Sequence, residues 1–294
     1  MARVIETGDA ASSKATTYGL KIGDEFWGNL SNGSDQDWIK VTLKAGVGYR
    51  FRIFEEDSKG DGLTDGRLQL RDANGSKIGD ATSLIGFTPN ASGTFYLDAF
   101  SNTGFAFNLG NGNYKVDSLA EVAPNVRTAA VVPGSGLYRS TVDYGADHDW
   151  LKVGLSARVS YVFKVVEDDS QGAGLSDGRI QLRDAKGSTV GSESSVVNFT
   201  PSKKGTYFLD VFSNNGFAHN LGNGKYRVEV IKEIAGDART LGTLQTGSTL
   251  KSKIEFGADH DWFKVKLQKG ITYTARIVED DSKGEGLQDG RIQL

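Results

Sequence analysis

The chain has 294 residues, with 34 Lys+Arg against 37 Asp+Glu, 3 His, 38 Gly, 4 Pro and no Cys. A net charge of −3 argues against a nucleic-acid partner, which needs a clustered basic surface. The lack of Cys removes disulfides, thiolate metal sites and Cys nucleophiles together. No apolar run approaches the ~18–20 residues that span a bilayer, and MARVIETGDA lacks the apolar stretch of a Sec-type signal peptide. Gly enrichment without Pro enrichment points to many tight turns between strands.

In chain order, Ala10 to Thr17 is the one segment that suits a short helix, and Leu20 to Leu30 reads as a strand. After the element Ser34-Asp35-Gln36-Asp37-Trp38, every second residue of Ile39-Val41-Leu43 is apolar, with Lys40 between. That period of two marks a half-buried strand. Tyr49-Phe51-Ile53 forms the next, with Arg50 and Arg52 on its wet face. An acidic loop runs from Glu55 to Gly66. Leu68 and Leu70 make a short strand closed by the turn tetrad Asp72-Ala73-Asn74-Gly75. Leu84 to Thr88, Phe95-Leu97-Ala99 and Tyr114-Val116 complete the unit, with Gly93 expected in a turn at positive φ. The whole is an all-β pattern of about eight short strands, as in an antiparallel β-sandwich or jelly roll.

This unit then copies itself. Trp38, Trp150 and Trp262 stand 112 residues apart, each after an Asp-x-Asp element, and the register holds without a gap. Glu55 to Ser76 matches Glu167 to Ser188 and recurs from Glu279, while Phe87 to Val116 matches Phe199 to Val228. Gly205 is thus the counterpart of Gly93. A unit of 112 residues exceeds the ~20–50 of a solenoid repeat and has the size of a domain. The expected organisation is tandem β-sandwich domains at 8–119 and 120–231, and a third copy at 232–294 that holds only an N-terminal half. Leu294 corresponds to Leu70 and Leu182. The third copy therefore has an open edge, which implies that the natural protein continues or that a neighbouring chain covers it.

The order Asp35-Gln36-Asp37-Trp38, Leu68 to Gly75, Gly93-Thr94-Phe95-Tyr96-Leu97 and Gly112-Asn113-Tyr114-Lys115-Val116 resembles the bacterial pre-peptidase C-terminal (PPC) domain. The resemblance covers nearly all of both complete copies and the first half of the third. It implies a compact, non-catalytic β-sandwich module of exported bacterial proteins such as secreted proteases. The collagen-binding domains of clostridial collagenases look like relatives, and they bind calcium. The loops Glu55 to Gly66 and Ser101 to Gly112 are longer than the family pattern leads one to expect.

The acidic loop is the foremost candidate metal site. Glu55, Glu56, Asp57 and Asp65 recur as Glu167, Asp168, Asp169 and Asp177, then as Glu279, Asp280, Asp281 and Asp289. Clustered carboxylates on a Gly-containing loop suit Ca2+, a hard cation that takes roughly 6–8 oxygen ligands. The competing reading is that Asp and Gly make turns while Glu55 pairs with Arg67 across strands. Asp35 and Asp37, with no apolar pocket evident to raise a pKa, read as turn-closing side chains or, failing that, calcium ligands. The recurring Trp reads as structural. Trp27 differs: its counterparts are Arg139 and Lys251, which marks it for partner contact. The Asn-rich loops, with Asn102 and Asn108 and their counterparts Asn214 and Asn220, suit a glycan or extended peptide.

No catalytic set survives the test of recurrence, since His219 replaces Phe107 and His148 aligns with Gln36. Three functions remain. The first is a non-catalytic spacer and binding array for an extracellular polymer or protein, in which linked weak sites gain avidity. The second is a calcium-responsive adhesin or surface-layer segment. The third is the ancillary region of a secreted hydrolase whose catalytic domain lies elsewhere. All three place the protein outside the cell or on its surface, without a membrane span.

Overall fold

A computed structural model describes residues 2–56, 62–102, 110–143, 147–171, 174–214, 222–254, 259–279, 286–287 and 289–294. The regular structure is strand almost throughout. The first copy holds β1 (Arg3–Ile5), β2 (Glu25–Leu30), β3 (Gln36–Leu43), β4 (Gly48–Glu55), β5 (Gly66–Arg71), β6 (Lys77–Thr82), β7 (Leu84–Phe87), β8 (Gly93–Ser101) and β9 (Gly112–Glu121). They form a five-stranded sheet of order β1-β2-β9-β4-β7 and a four-stranded sheet of order β3-β8-β5-β6. Every pairing is antiparallel except β1 with β2. Alternate residues of each sheet point into one core, where Phe26, Phe51 and Tyr114 meet Ile39, Leu68 and Leu97. This is the inward-outward alternation of a sandwich.

The second copy repeats the plan with β10 (Val131–Val132), β11 (Gly136–Val142), β12 (Asp149–Leu155), β13 (Ser160–Glu167), β14 (Gly178–Arg183), β15 (Thr189–Ser194), β16 (Val196–Phe199), β17 (Gly205–Ser213) and β18 (Gly224–Glu233). Its sheets run β11-β18-β13-β16 and β10-β12-β17-β14-β15. The register is conserved between copies: Asp149 lies opposite Val211 as Asp37 lies opposite Ala99. A separate core gathers Leu151, Phe163, Leu182, Leu209, Tyr226 and Val228.

Polar side chains finish what the ladders leave open. A register shift between Leu68 and Leu70 interrupts the β5–β6 ladder. There Gln69 turns inward, and its Nε2 donates to the carbonyls of Leu70, Ile78 and Gly79 at 3.0, 3.0 and 3.1 Å. Gln181 does the same in the second copy. Arg71 donates through Nε and Nη2 to Asp98 Oδ2 at 2.9 and 2.7 Å, and its guanidinium stacks 4.6 Å above the Trp38 ring. Trp38 is buried against Tyr96 and the Gly75 turn, and Trp150 has the same surroundings. The recurring indole is thus a packing element.

Three local expectations are corrected. Ala10 to Thr17 is not a helix but a run of bends and turns. Ser13 Oγ accepts from the Ala15 amide, and Thr16 Oγ1 from that of Tyr18, so hydroxyls take the amides a helical ladder would need. Gly93 and Gly205 open β8 and β17 rather than occupying positive-φ turns; those positions are Gly75 and Gly187, at φ 89° and 88°. The edge strands β6 and β15 carry too few apolar residues to be read by alternation.

In the third copy, β19 (Thr243–Leu244) pairs parallel with β20 (Lys264–Val265), as β10 does with β12. Trp262 is 50% exposed there, against 7% for Trp38, and Leu267 is 52% exposed, against 0% for Leu43. The strand that covers these positions in the complete copies, β8 or β17, has no counterpart in the sequence. Among the described residues no helix is long and apolar enough to cross a membrane.

Because each complete copy has its own core, damage should stay local. Phe51→Ala is expected to cost about 3–5 kcal/mol and to lower amide-exchange protection across β3 to β9. Loss of protection spreading equally to β12 through β18 would show instead that the two cores unfold as one.

Candidate functional site

Of the described carboxylates of the acidic loop, Asp65, Asp168, Asp169, Asp177 and Asp289 each engage a separate local partner. Glu55 ends β4 opposite Tyr114, and Glu167 ends β13 opposite Tyr226. The Glu56 amide donates to the Asn113 carbonyl at 3.1 Å. Asp65, at φ 49°, holds Arg67 Nη2 at 2.6 Å and accepts from Asn102 Nδ2 at 3.1 Å. Asp177 repeats this with Arg179 at 2.7 Å and Asn214 at 3.1 Å, and Asp289 pairs with Arg291 at 2.8 Å. The cross-strand pair expected between Glu55 and Arg67 is thus replaced by one between residues two apart on a tight turn. Asp168 binds Arg139 at 2.9 Å, Asp169 accepts from the Gly174 amide at 3.0 Å, and Glu279 is exposed. Asp57, Asp280, Asp281, Asn108 and Asn220 lie outside the described residues.

Trp27 is half-buried and engaged within its own sheet. Its indole Nε1 donates to Glu25 Oε2 at 3.1 Å, and the Arg3 guanidinium lies 4.5 Å over the ring. That indole is the main reason the Glu25 carboxyl titrates below its ordinary value.

The carboxylates that do converge come from the Asp-x-Asp element and from segments ahead of it in the chain. Glu6, Asp9 and Asp37 form one group; Glu121, Asp143 and Asp147 a second; Glu233, Asp259 and Asp261 a third. In each, one oxygen per residue lies within 4.8 Å of the others. The groups coincide at one position of the 112-residue repeat, shared by Asp9, Glu121 and Glu233; beyond it Asp37 corresponds to Asp261 and Asp147 to Asp259, while Glu6 and Asp143 have no counterpart in the other groups. Glu121 is the last residue of β9, while Asp143 follows β11 and Asp149 begins β12. The second and third groups therefore sit where one copy hands over to the next, while the first lies at the start of the first copy.

Within the element the two aspartates have different tasks. Asp35 closes a turn as expected, accepting from the Ser31 amide and hydroxyl at 2.7 and 2.8 Å, and Asp147 accepts from the Asp143 amide at 2.8 Å. Asp37 and Asp149 are 0% exposed, and each accepts a 2.6 Å hydrogen bond through Oδ2, from Tyr114 and Tyr226 respectively. Their other oxygens, both Oδ1, are buried with no hydrogen-bond partner, as is Glu121 Oε2. The expectation that no apolar pocket would raise a pKa here is overturned. Burial pushes Asp37 and Asp149 up to about 8, helped by Glu6 in the first case and Asp147 in the second. Burial also raises Glu121 to about 7, with help from Asp147, and Asp147 to about 6, where Asp143 adds to the effect. The sequence held a signal for this site, an acidic residue at the same place in each copy, but it stands 26 residues from the Asp-x-Asp element.

These groups offer oxygen donors only. At the second group, the adjacent His148 is turned away: its Nδ1 is 2.8 Å from Asp210 Oδ1, and its ring stacks on Phe212. A donor set of carboxylates without Cys or His suits a hard cation such as Ca2+ and disfavours zinc or copper. A shallow cleft of about 260 Å³ opens on the same joint, lined by Glu121, Ser140, Thr141 and Asp143 among others.

No family model matches the chain, and no curated protein matches its sequence. Solved structures with some likeness include the CUB1-EGF-CUB2 domains of human MASP-1/3, at 7% identity and a TM-score of 0.21, covering 70% of this chain and 99% of that one. Tripeptidyl peptidase 2 is 11% identical with a TM-score of 0.20, over 76% of this chain and 23% of its own. The extracellular region of zebrafish Gpr126 gives 10% and 0.21, over 73% and 33%. Scores this low carry no argument about fold or function.

The raised carboxyls make stability fall as pH rises. A native Asp149 with a pKa about 8 holds a proton that the unfolded chain, at ~3.9, has released. That stability is fully present below pH ~3.9 and is lost as pH climbs through about 8. Asp149→Asn should therefore raise the melting temperature at pH 8 in chelator and change it little at pH 4. A variant that melts lower at both pH values would show the carboxylate to be satisfied in the native state.

Proposed function

We propose that the chain is a non-catalytic array of PPC-like β-sandwich modules from an exported bacterial protein, located outside the cell or on its surface. It acts as a spacer and binding region for an extracellular polymer or protein, and its joints take up Ca2+. The observation that carries this reading is the recurrence, near the start of each copy, of converging carboxylates that include buried oxygens without a hydrogen-bond partner. Burying a carboxylate is costly unless it is protonated, paired or bound to a metal, and a bound cation would take the place of the protons that these acids otherwise hold. Ca2+ accepts irregular sets of carboxylate and backbone oxygens. The side chains that recur elsewhere have structural tasks, with Arg71, Gln69 and Trp38 each consumed in packing or ladder repair. Repetition of a weakly binding surface gains strength through effective concentration.

The test is a thermal melt of the full chain at pH 7.5 in excess Ca2+ and in chelator. A ligand that binds only the native state stabilises it by about 2.7 kcal/mol at a hundredfold excess over Kd, a rise of several degrees for domains of this size. The rise should survive Asp65→Asn with Asp177→Asn and shrink in Glu121→Gln with Asp147→Asn. The reverse pattern would move the metal to the acidic loop, and no rise in any protein would remove calcium from the function.

A further inference from the structure

We propose that Asn32 is a site of self-modification in the first copy: the Gly33 amide nitrogen attacks the Asn32 side-chain amide, and the resulting cyclic imide opens to aspartate or isoaspartate. Asn-Gly is the dipeptide best suited to this reaction, because glycine carries no side chain to hinder its own nitrogen. The chain has five such dipeptides, beginning at Asn32, Asn74, Asn111, Asn215 and Asn223. Asn215 lies outside the described residues. The other four differ in what holds the glycine amide and the asparagine carbonyl.

At Asn32 both reacting groups are prepared. The residue is exposed in the turn between β2 and β3. Its Oδ1 accepts from the Ser34 amide at 3.0 Å and from the Ser34 hydroxyl at 2.7 Å. Two donors on one carbonyl oxygen draw charge from Cγ and stabilise the oxyanion that attack creates there. Among the described residues nothing accepts a hydrogen bond from the Gly33 amide, so the nucleophile breaks no bond to react. Asn74 supplies the contrast, since Asn74-Gly75-Ser76 is the same tripeptide as Asn32-Gly33-Ser34. There the Gly75 amide donates to the Asp72 carbonyl at 2.9 Å. The Ser76 amide is taken by Asp72 Oδ1 at 2.8 Å and cannot serve Asn74. Gly75 itself is held at φ 89° against the Trp38 ring. After Asn111 and Asn223 the glycine is buried in the first rung of β9 or β18, opposite Leu30 or Val142, away from the water that opens the imide.

The atoms balance without a cofactor. Gly33 N bonds to Asn32 Cγ and gives up its proton, Nδ2 leaves with that proton as ammonia, and a water then adds to the imide. Opening at Cγ gives aspartate. Opening at the main-chain carbonyl reroutes the chain through the side chain as isoaspartate, which lengthens the turn by a methylene. Either product places a new carboxylate in the turn that Asp35 closes. Burial raises the pKa of Glu6 and Asp37, and the Asp35 charge adds to both. A second charge at position 32 therefore acts on the acid group at the start of the first copy. The counterparts of Asn32 are Tyr144 and Phe256, which confines the change to that copy.

The test ages the full chain at pH 8, natively and in denaturant, with the products at each asparagine measured by peptide mass spectrometry. Denaturant gives the rate that sequence alone sets. The ratio of native to denatured rate should be about tenfold higher at Asn32 than at Asn74, the factor that one hydrogen bond gained or lost supplies. Ser34→Ala should lower the ratio at Asn32 and leave that at Asn74 unchanged. Equal ratios at the two sites, or a higher one at Asn74, would overturn the proposal. So would an Asn32 ratio that Ser34→Ala leaves unmoved.

Discussion

In each complete copy a fully buried tyrosine donates to a fully buried aspartate of the opposite sheet: Tyr114 of β9 to Asp37 of β3, and Tyr226 of β18 to Asp149 of β12. At 2.6 Å this bond is a polar tie between layers otherwise held by apolar contact. It fixes the rotamer of the aspartate, and with it the direction of the second oxygen. It also sets the phase of β3 and β12, since the residues that follow alternate inward from it. Trp38 and Trp150 then fall on the outer face, where the arginine and the glycine turn cover them. The buried acid, the register and the indole position are consequences of one hydrogen bond placed at a strand start.

How far the sequence could be read depended on whether the relevant information was local. Strands with one apolar face declared themselves: Ile39-Val41-Leu43 in β3, Tyr49-Phe51-Ile53 in β4 and Tyr114-Val116 in β9 match the alternation of their burial. The edge strands β6 and β15 did not, because a strand with little to bury has no period to display. The candidate site shows the same limit more sharply. Glu55, Glu56, Asp57 and Asp65 attract notice because they are neighbours in sequence, yet Asp65 faces its own arginine. Glu121 and Asp147 are far apart in sequence and meet only because β9 ends where β12 begins. Nothing local distinguishes Glu121 from any surface glutamate; only its equivalence to Asp9 and Glu233 did.

The copies are alike in frame and unlike in electrostatics. Asp98 Oδ1 is buried without a partner in the first copy, where the neighbouring position is Gln36. In the second, His148 occupies that position and engages the equivalent Asp210 oxygen. The hydrogen bond to Asp210 is the main reason the imidazole pKa is raised. A single replacement thus answers a buried oxygen in one copy that stays unanswered in the other, without disturbing the Arg183 contact to the second oxygen.

The short parallel contact at the start of each copy has a consequence for assembly. Adjacent copies of nearly identical register, tethered at high local concentration, are prone to exchange strands: the β8 of one sandwich could pair with the β12 of its neighbour as well as with its own β3. The free edge of β3 or β12 would be the port of entry for such misassembly. In the first copy Gly19 bridges to Lys40 along that edge, and in the second Val131 and Val132 pair with Lys152 and Val153. In each complete copy the segment ahead of β3 or β12 therefore covers that edge and leaves less of it open to a sibling's strand.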